Sequence, residues 1–139
     1  MKHKGTVLLY NITGDRSRQI KLLCVRQGLM IRQVEPAQYQ MSLGALAGVE
    51  GYEPEPAAYE GEGFTDEMLV MKDFDGPMLN RFLQGFRSMK IPPVALKAVL
   101  TETNCTWTSL KLHEEISAEH AAMAAQRNLK NKSKEADDK

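Results

Sequence analysis

A single α+β domain built from a repeated strand–helix–strand unit is what the sequence predicts, on three observations. Four short apolar runs, at 7–10, 30–34, 68–74 and 94–100, have the length and composition of strands. Apolar residues recur at helical spacing between the first and second runs, and again between the third and fourth. The halves 7–35 and 68–101 therefore share a pattern although few letters. We expect a duplicated β-α-β domain with a ferredoxin-like four-stranded sheet and an extra C-terminal helix. A small parallel α/β sheet, with helices on one or both faces, fits the same pattern.

The elements follow in order. Val7 to Tyr10 ends in Asn11, and Thr13-Gly14-Asp15 reads as a turn with Asp15 or Ser17 as helix cap. Ile20, Leu23 and Cys24 mark the apolar face of the first helix; Arg16, Arg18, Lys21 and Arg26 mark its wet face. Gly28 suits the helix stop. Met30 to Val34 closes on Glu35-Pro36, and "SLGALAGVEG" is a short helix or a tight apolar turn. An acidic stretch at about 50–67, rich in Pro and Gly, reads as a flexible loop. "MLVMKDF" is the third strand, and Asp75-Gly76-Pro77 starts a helix. Leu79, Phe82, Leu83, Phe86 and Met89 give that helix the clearest amphipathic stripe of the chain. After the fourth strand a last helix starts near Thr108 or Ser109, with Leu112, Ile116, His120 and Met123 on one face. The domain is expected over 1–123, and the polar segment 124–139 is expected to be disordered.

The bulk numbers exclude several functions. The 139 residues fit one domain. A net charge of zero gives no argument for nucleic acid or an anionic membrane. Arg16, Arg18, Lys21 and Arg26 form a basic face, but they lack the interleaved aromatics of a nucleic-acid site. No apolar run approaches the ~20 residues of a membrane span, and the basic start lacks a leader's apolar length and cleavage site. Cys24 and Cys105 form no CxxC, which suits reduced thiols in a cytoplasm.

The best functional lead is "PPVALKAVLTETNCTW". On a strand, Val94, Leu96, Ala98 and Leu100 would share the core face, and Ala95, Lys97, Val99 and Thr101 the other. If a helix covers the second face, Lys97 must reach an acid, snorkel to the rim or line a pocket. If solvent covers it, Lys97 needs no explanation. At the strand's end, Thr101, Thr103, Asn104, Thr106, Thr108 and Ser109 surround a helix start, where free N–H groups can hold an anion. Trp107 would stack on a planar group. The structural alternative is that these residues cap the helix and shape the turn, while Trp107 fills a core gap. Topology decides whether the turns at 11–15, 73–77 and 101–106 gather on one sheet edge as one site.

Other chemistry has less support. His113 and His120 lie about 10 Å apart along a helix, too far for two ligands of one metal ion. Cys24 behaves as a small hydrophobe. Cys105, near a helix start, is a weak redox candidate without a neighbouring histidine.

Two stretches carry a family resemblance. "LYNITGDRSRQIKLLCVRQGLMIRQVEPAQYQMSLGALAG" and "MLVMKDFDGPMLNRFLQGFRSMKIPPVALKAVLTETNCTWTSLKLHEEISAEHAAM" resemble a bacterial family, mainly of Firmicutes, known as the domain of unknown function numbered 3783. "PPVALKAVLTETNCTW", "LGALAG" and "EEISAEHAAM" are the most specific pieces, and the resemblance spans nearly the whole chain apart from the acidic loop and the tail. It implies a small stand-alone cytoplasmic bacterial protein. It implies no activity and no catalytic residue.

The expected function is a non-enzymatic regulatory or interaction module binding a small ligand or a protein partner. No catalytic residue, cofactor or metal is assigned. The alternative is an enzyme or binding protein for a small phosphorylated or nucleotide ligand at Lys97, Thr101, Thr103, Asn104, Trp107 and Thr108. A small anion and a second copy of the chain, paired through sheet edges, are the expected partners.

Overall fold

A computed structural model describes residues 5–53, 59–61 and 63–137, with side chains through Gln126. Strand β1 (Thr6–Tyr10), helix α1 (Gly14–Arg26) and strand β2 (Met30–Val34) form the first unit. Strand β3 (Met68–Lys72), helix α3 (Gly76–Ser88) and strand β4 (Leu96–Val99) form the second. A short helix α2 (Leu43–Ala47) lies between the units, and α4 (Ser109–Asp137) follows them.

Local chemistry accounts for the boundaries. Asp75 caps α3 by accepting from the Met78 amide at 2.8 Å, with a proline in the first turn. At α1 the cap position is Thr13, not Asp15 or Ser17; Asp15 stands in the first turn and Ser17 is buried. Ser42 caps α2, and Gly48 ends it at φ 75, which resolves "SLGALAGVEG" as a helix. The two units repeat each other's turns at one constant offset in sequence. Asn11 and Asp73 both stand at φ 61 after their strands, and Gly28 and Lys90 take positive φ after their helices. Leu29 then donates to Cys24, as Ile91 does to Phe86, both at 2.8 Å.

The sheet order is β2-β1-β3-β4. β1 pairs parallel with β2, β3 parallel with β4, and β1 antiparallel with β3, Leu8 lying opposite Val70. A four-stranded sheet in an α+β domain was expected; its mixed pairing was not, and the split order of a ferredoxin-like sheet is not what these registers give. Each unit keeps its two strands adjacent. Polarity explains the order. β1 is buried along its length and β3 nearly so, so they take the centre. β2 carries Arg32 and Gln33 and β4 carries Lys97, so they take the edges, where charge also opposes strand addition by another chain.

Crossovers of one hand place both helices on one face when two such units run antiparallel and spread outward. α1 and α3 accordingly share a face. Val7, Leu9, Ile20, Leu23, Leu69, Met71, Phe82 and Phe86 form that core. Leu8, Tyr10, Val70 and Leu96 point the other way, into a second core closed by α2, Tyr39, Phe64 and Leu112 of α4. Val94 joins the α1/α3 core rather than the face of Leu96 and Ala98, because β4 begins only at Leu96.

Part of the acidic stretch is anchored. Tyr59 donates its amide to Ala37, and Asn11 donates to the carbonyls of Phe64 and Asp66 at 3.0 and 2.9 Å. The remainder of the expected loop, 54–58 and 62, lies outside the described residues. α4 runs on as helix through the segment expected to be disordered from 124, which is rich in strong helix formers. Among the described residues no helix is long and apolar enough to cross a membrane.

Candidate functional site

The Thr101–Ser109 turn is organised by its own hydrogen bonds. Asn104 is buried; its Oδ1 accepts from the Thr101 amide at 2.7 Å and its Nδ2 donates to the Val99 carbonyl at 3.1 Å. Thr101 Oγ1 accepts from the Asn104 amide. Thr103 lends its carbonyl to Thr106 Oγ1. Thr108 Oγ1 accepts from the Lys111 amide and so caps α4. Ser109 is buried and bonds the Tyr10 hydroxyl at 2.7 Å. Trp107 packs against the second core and carries the Lys111 ammonium 5.1 Å from its ring centre. Asn104, Thr106 and Ser109 are thus engaged within the turn and the core, whereas Thr101 and Thr108 accept through Oγ1 and keep their hydroxyl protons, and among the described residues the Thr103 hydroxyl makes no bond.

Strand direction separates the turns. Because β1 runs against β3 and β4, the turn at 11–15 lies at the opposite sheet edge from those at 73–77 and 101–106. No composite site forms from all three.

Lys97 sits elsewhere. Its side chain lies on the α3 side of edge strand β4 and lines a cleft of about 300 Å³ with Leu83, Phe86, Arg87, Ile91, Pro93 and Val94. The ammonium donates to the Val94 carbonyl at 2.8 Å, leaving two further N–H groups. The residue is exposed overall, but contact with the cleft desolvates it enough to lower its pKa from the ordinary lysine value. Among the described residues neither Lys97 nor Arg87 forms an ion pair. Two cations therefore flank an apolar cleft that contains no acid. Sequence reading singled out Lys97 and missed Arg87, which helical spacing from Leu83 and the short span to β4 would have placed beside it.

A larger cleft, of about 470 Å³, opens where β1 ends and β3 and β4 begin. Its cation is already committed. Arg16 Nη1 donates to both carboxylate oxygens of Glu67 at 2.5 Å, while Nε and Nη2 donate to the carbonyls of Pro92 and Pro93. Arg16 thus ties the first unit to the entry of both strands of the second, and is not part of the wet face of α1. Ser117 and His120 line the same cleft; the Ser117 hydroxyl is buried and has no hydrogen-bond partner among the described residues.

The remaining reactive groups are placed structurally. His113 stacks on Phe64 with ring centres 4.0 Å apart and bonds Asp66 at 2.9 Å, fastening α4 to the loop before β3. Burial pushes the Cys24 thiol up to about 12. Cys105 is also raised, chiefly by burial, which makes it a poor nucleophile. Among the described residues no group of three or more His, Cys, Asp or Glu is placed to hold a metal ion.

No curated protein and no solved structure matches the chain. A family match narrower than the resemblance read from the letters falls on β3, α3, β4 and the first part of α4, a stretch that includes the whole lining of the Lys97 cleft. Residues 67–123 match the family described as a domain of unknown function, DUF3783.

Proposed function

We propose that the protein is a non-enzymatic binding module whose ligand site is the cleft between α3 and β4. The observation that carries this reading is Lys97: a partly desolvated ammonium at the mouth of an apolar cleft also lined by Arg87, with no acid in the cleft lining and no ion pair to either cation among the described residues. Contact with the apolar cleft removes part of the ammonium's hydration, at a cost that its bond to the neutral Val94 carbonyl only partly offsets. A bound anion would offset that cost. The alternative of a phosphorylated or nucleotide ligand at the 101–109 turn has fewer donors to use, because Asn104 Nδ2 and Thr106 Oγ1 are spent within the turn. The reading keeps the bacterial, cytoplasmic setting that the resemblance implies, and a regulatory role follows if ligand occupancy is reported to a partner.

The test is a thermal-shift screen of small carboxylates, phosphate esters and nucleotides, on wild type and Lys97→Ala. A ligand that binds only the folded state raises the midpoint with concentration, by about 2.7 kcal/mol of stabilisation at a hundred times Kd. We expect a saturable rise in wild type that is lost in Lys97→Ala. An equal rise in both proteins would remove Lys97 from the site.

A further inference from the structure

We infer that the cleft takes a small monoanionic carboxylate with an apolar body rather than a phosphate ester. The inference rests on the binding-module reading above and names its ligand class. Three features select it. The walls, Leu83, Phe86, Ile91, Pro93 and Val94, are apolar, so most of the ligand must be apolar. The volume, about 300 Å³, is at the small end of ligand sites and suits a body of about six to ten heavy atoms.

The third feature is electrostatic. Phosphate sites use helix N-termini and rows of free backbone N–H groups. This cleft is lined by Phe86 and Arg87, from the last turns of α3, where the helix dipole is negative. That end disfavours concentrated negative charge and offsets part of the field of the two cations. The amides that follow α3 are also spent: Met89, Lys90 and Ile91 donate to Gly85, Arg87 and Phe86. Two side-chain cations remain, matched to one carboxylate: the planar Arg87 fork and the two free N–H groups of Lys97.

Hexanoate, hexanamide and hexyl phosphate separate the cases, because they share a chain and differ in the head. Each is titrated into the full-length protein while backbone amide resonances are followed. Hexanoate should shift the amides of Leu83, Arg87, Ile91 and Val94 saturably. Hexyl phosphate should bind at least about 10-fold more weakly, hexanamide should give no saturable shift, and the Arg87→Gln, Lys97→Gln double variant should weaken hexanoate by at least about 10-fold, since one such factor corresponds to the loss of a single charge-assisted bond. Both residues are exposed, and the amide spectrum reports directly whether the double variant is folded. If hexyl phosphate binds there as tightly as hexanoate or tighter, the carboxylate assignment is wrong and the binding-module reading survives. Equal binding of hexanamide would mean the cations recognise nothing, which also overturns it. Absence of any shift with all three would end both readings.

Discussion

Phe82→Ala is expected to destabilise the protein by about 4 kcal/mol, within the range of buried aromatic truncations. Phe82 has no exposed surface and lies at the centre of the α1/α3 core. Its ring meets Phe74 edge-on at 5.5 Å and Phe86 at 5.2 Å. Removing it deletes the partner of both rings and leaves a void that helices held by fixed turns cannot fill. Urea unfolding should show a lower midpoint with an unchanged slope. Leu22→Ala, at a position 45% exposed on α1, should cost less than about 0.5 kcal/mol. Similar costs at the two sites would mean that the assigned packing is wrong. Phe86 is also a wall of the Lys97 cleft, so ligand affinity should fall in Phe82→Ala beyond what the lost stability explains.

The second large effect is alkaline destabilisation. Burial raises the pKa of Tyr10 and of Tyr39 above the ordinary 10.0, and that of Cys24 from 9.0 to about 12. Each keeps its proton in the folded chain at a pH where the unfolded chain has lost it. The unfolded state then binds fewer protons, so stability falls as pH rises. The contribution of each group is complete below its ordinary value, 9.0 or 10.0, and declines above it. Each fully titrating group adds up to about 1.4 kcal/mol per pH unit to that decline. Lys97 acts with the opposite sign, since its lowered pKa makes the unfolded state the better proton binder in the same window. Urea unfolding at successive pH values from 8 to 11.5 should show a steep loss in wild type. Tyr10→Phe should lose stability at neutral pH, through the missing bond to Ser109, and then decline less steeply above pH 10. Parallel curves for wild type and variant would contradict a buried, protonated Tyr10.

Much of the fold was legible because its signals are local. Turn residues and apolar periodicity located the strands within a few residues, and the α3 stripe from Leu79 to Met89 appeared where expected. Strand order was less legible, since periodicity assigns a face and not a neighbour. The polarity of "MIRQV" and "LKAV" against "TVLLY" and "MLVMK" did carry the order, because the most apolar strands belong in the centre. Arg16 was misread because an arginine on a polar helix face looks solvated until a distant carboxylate, Glu67, is brought to it. The stack of Phe64 on His113 was missed for the same reason, since it joins residues far apart in sequence through the return of α4. At the candidate site, Lys97 stood out as a charge in an apolar run. The Thr and Asn residues after it had two readings, and only their hydrogen bonds distinguish capping from ligand donation.

The measurement that tests the account most directly is the titration of the Lys97 side chain itself, followed by its side-chain carbon resonance in isotope-labelled protein. Without ligand, the ammonium should titrate below the ordinary 10.5, because the cleft desolvates it. With a saturating small anion its pKa should rise, because an opposite charge favours the protonated form. A Lys97 that titrates at the ordinary value and does not move with any anion would contradict the account. The lysine would then be an edge-strand charge in water, and the cleft beside it would have no reason to bind.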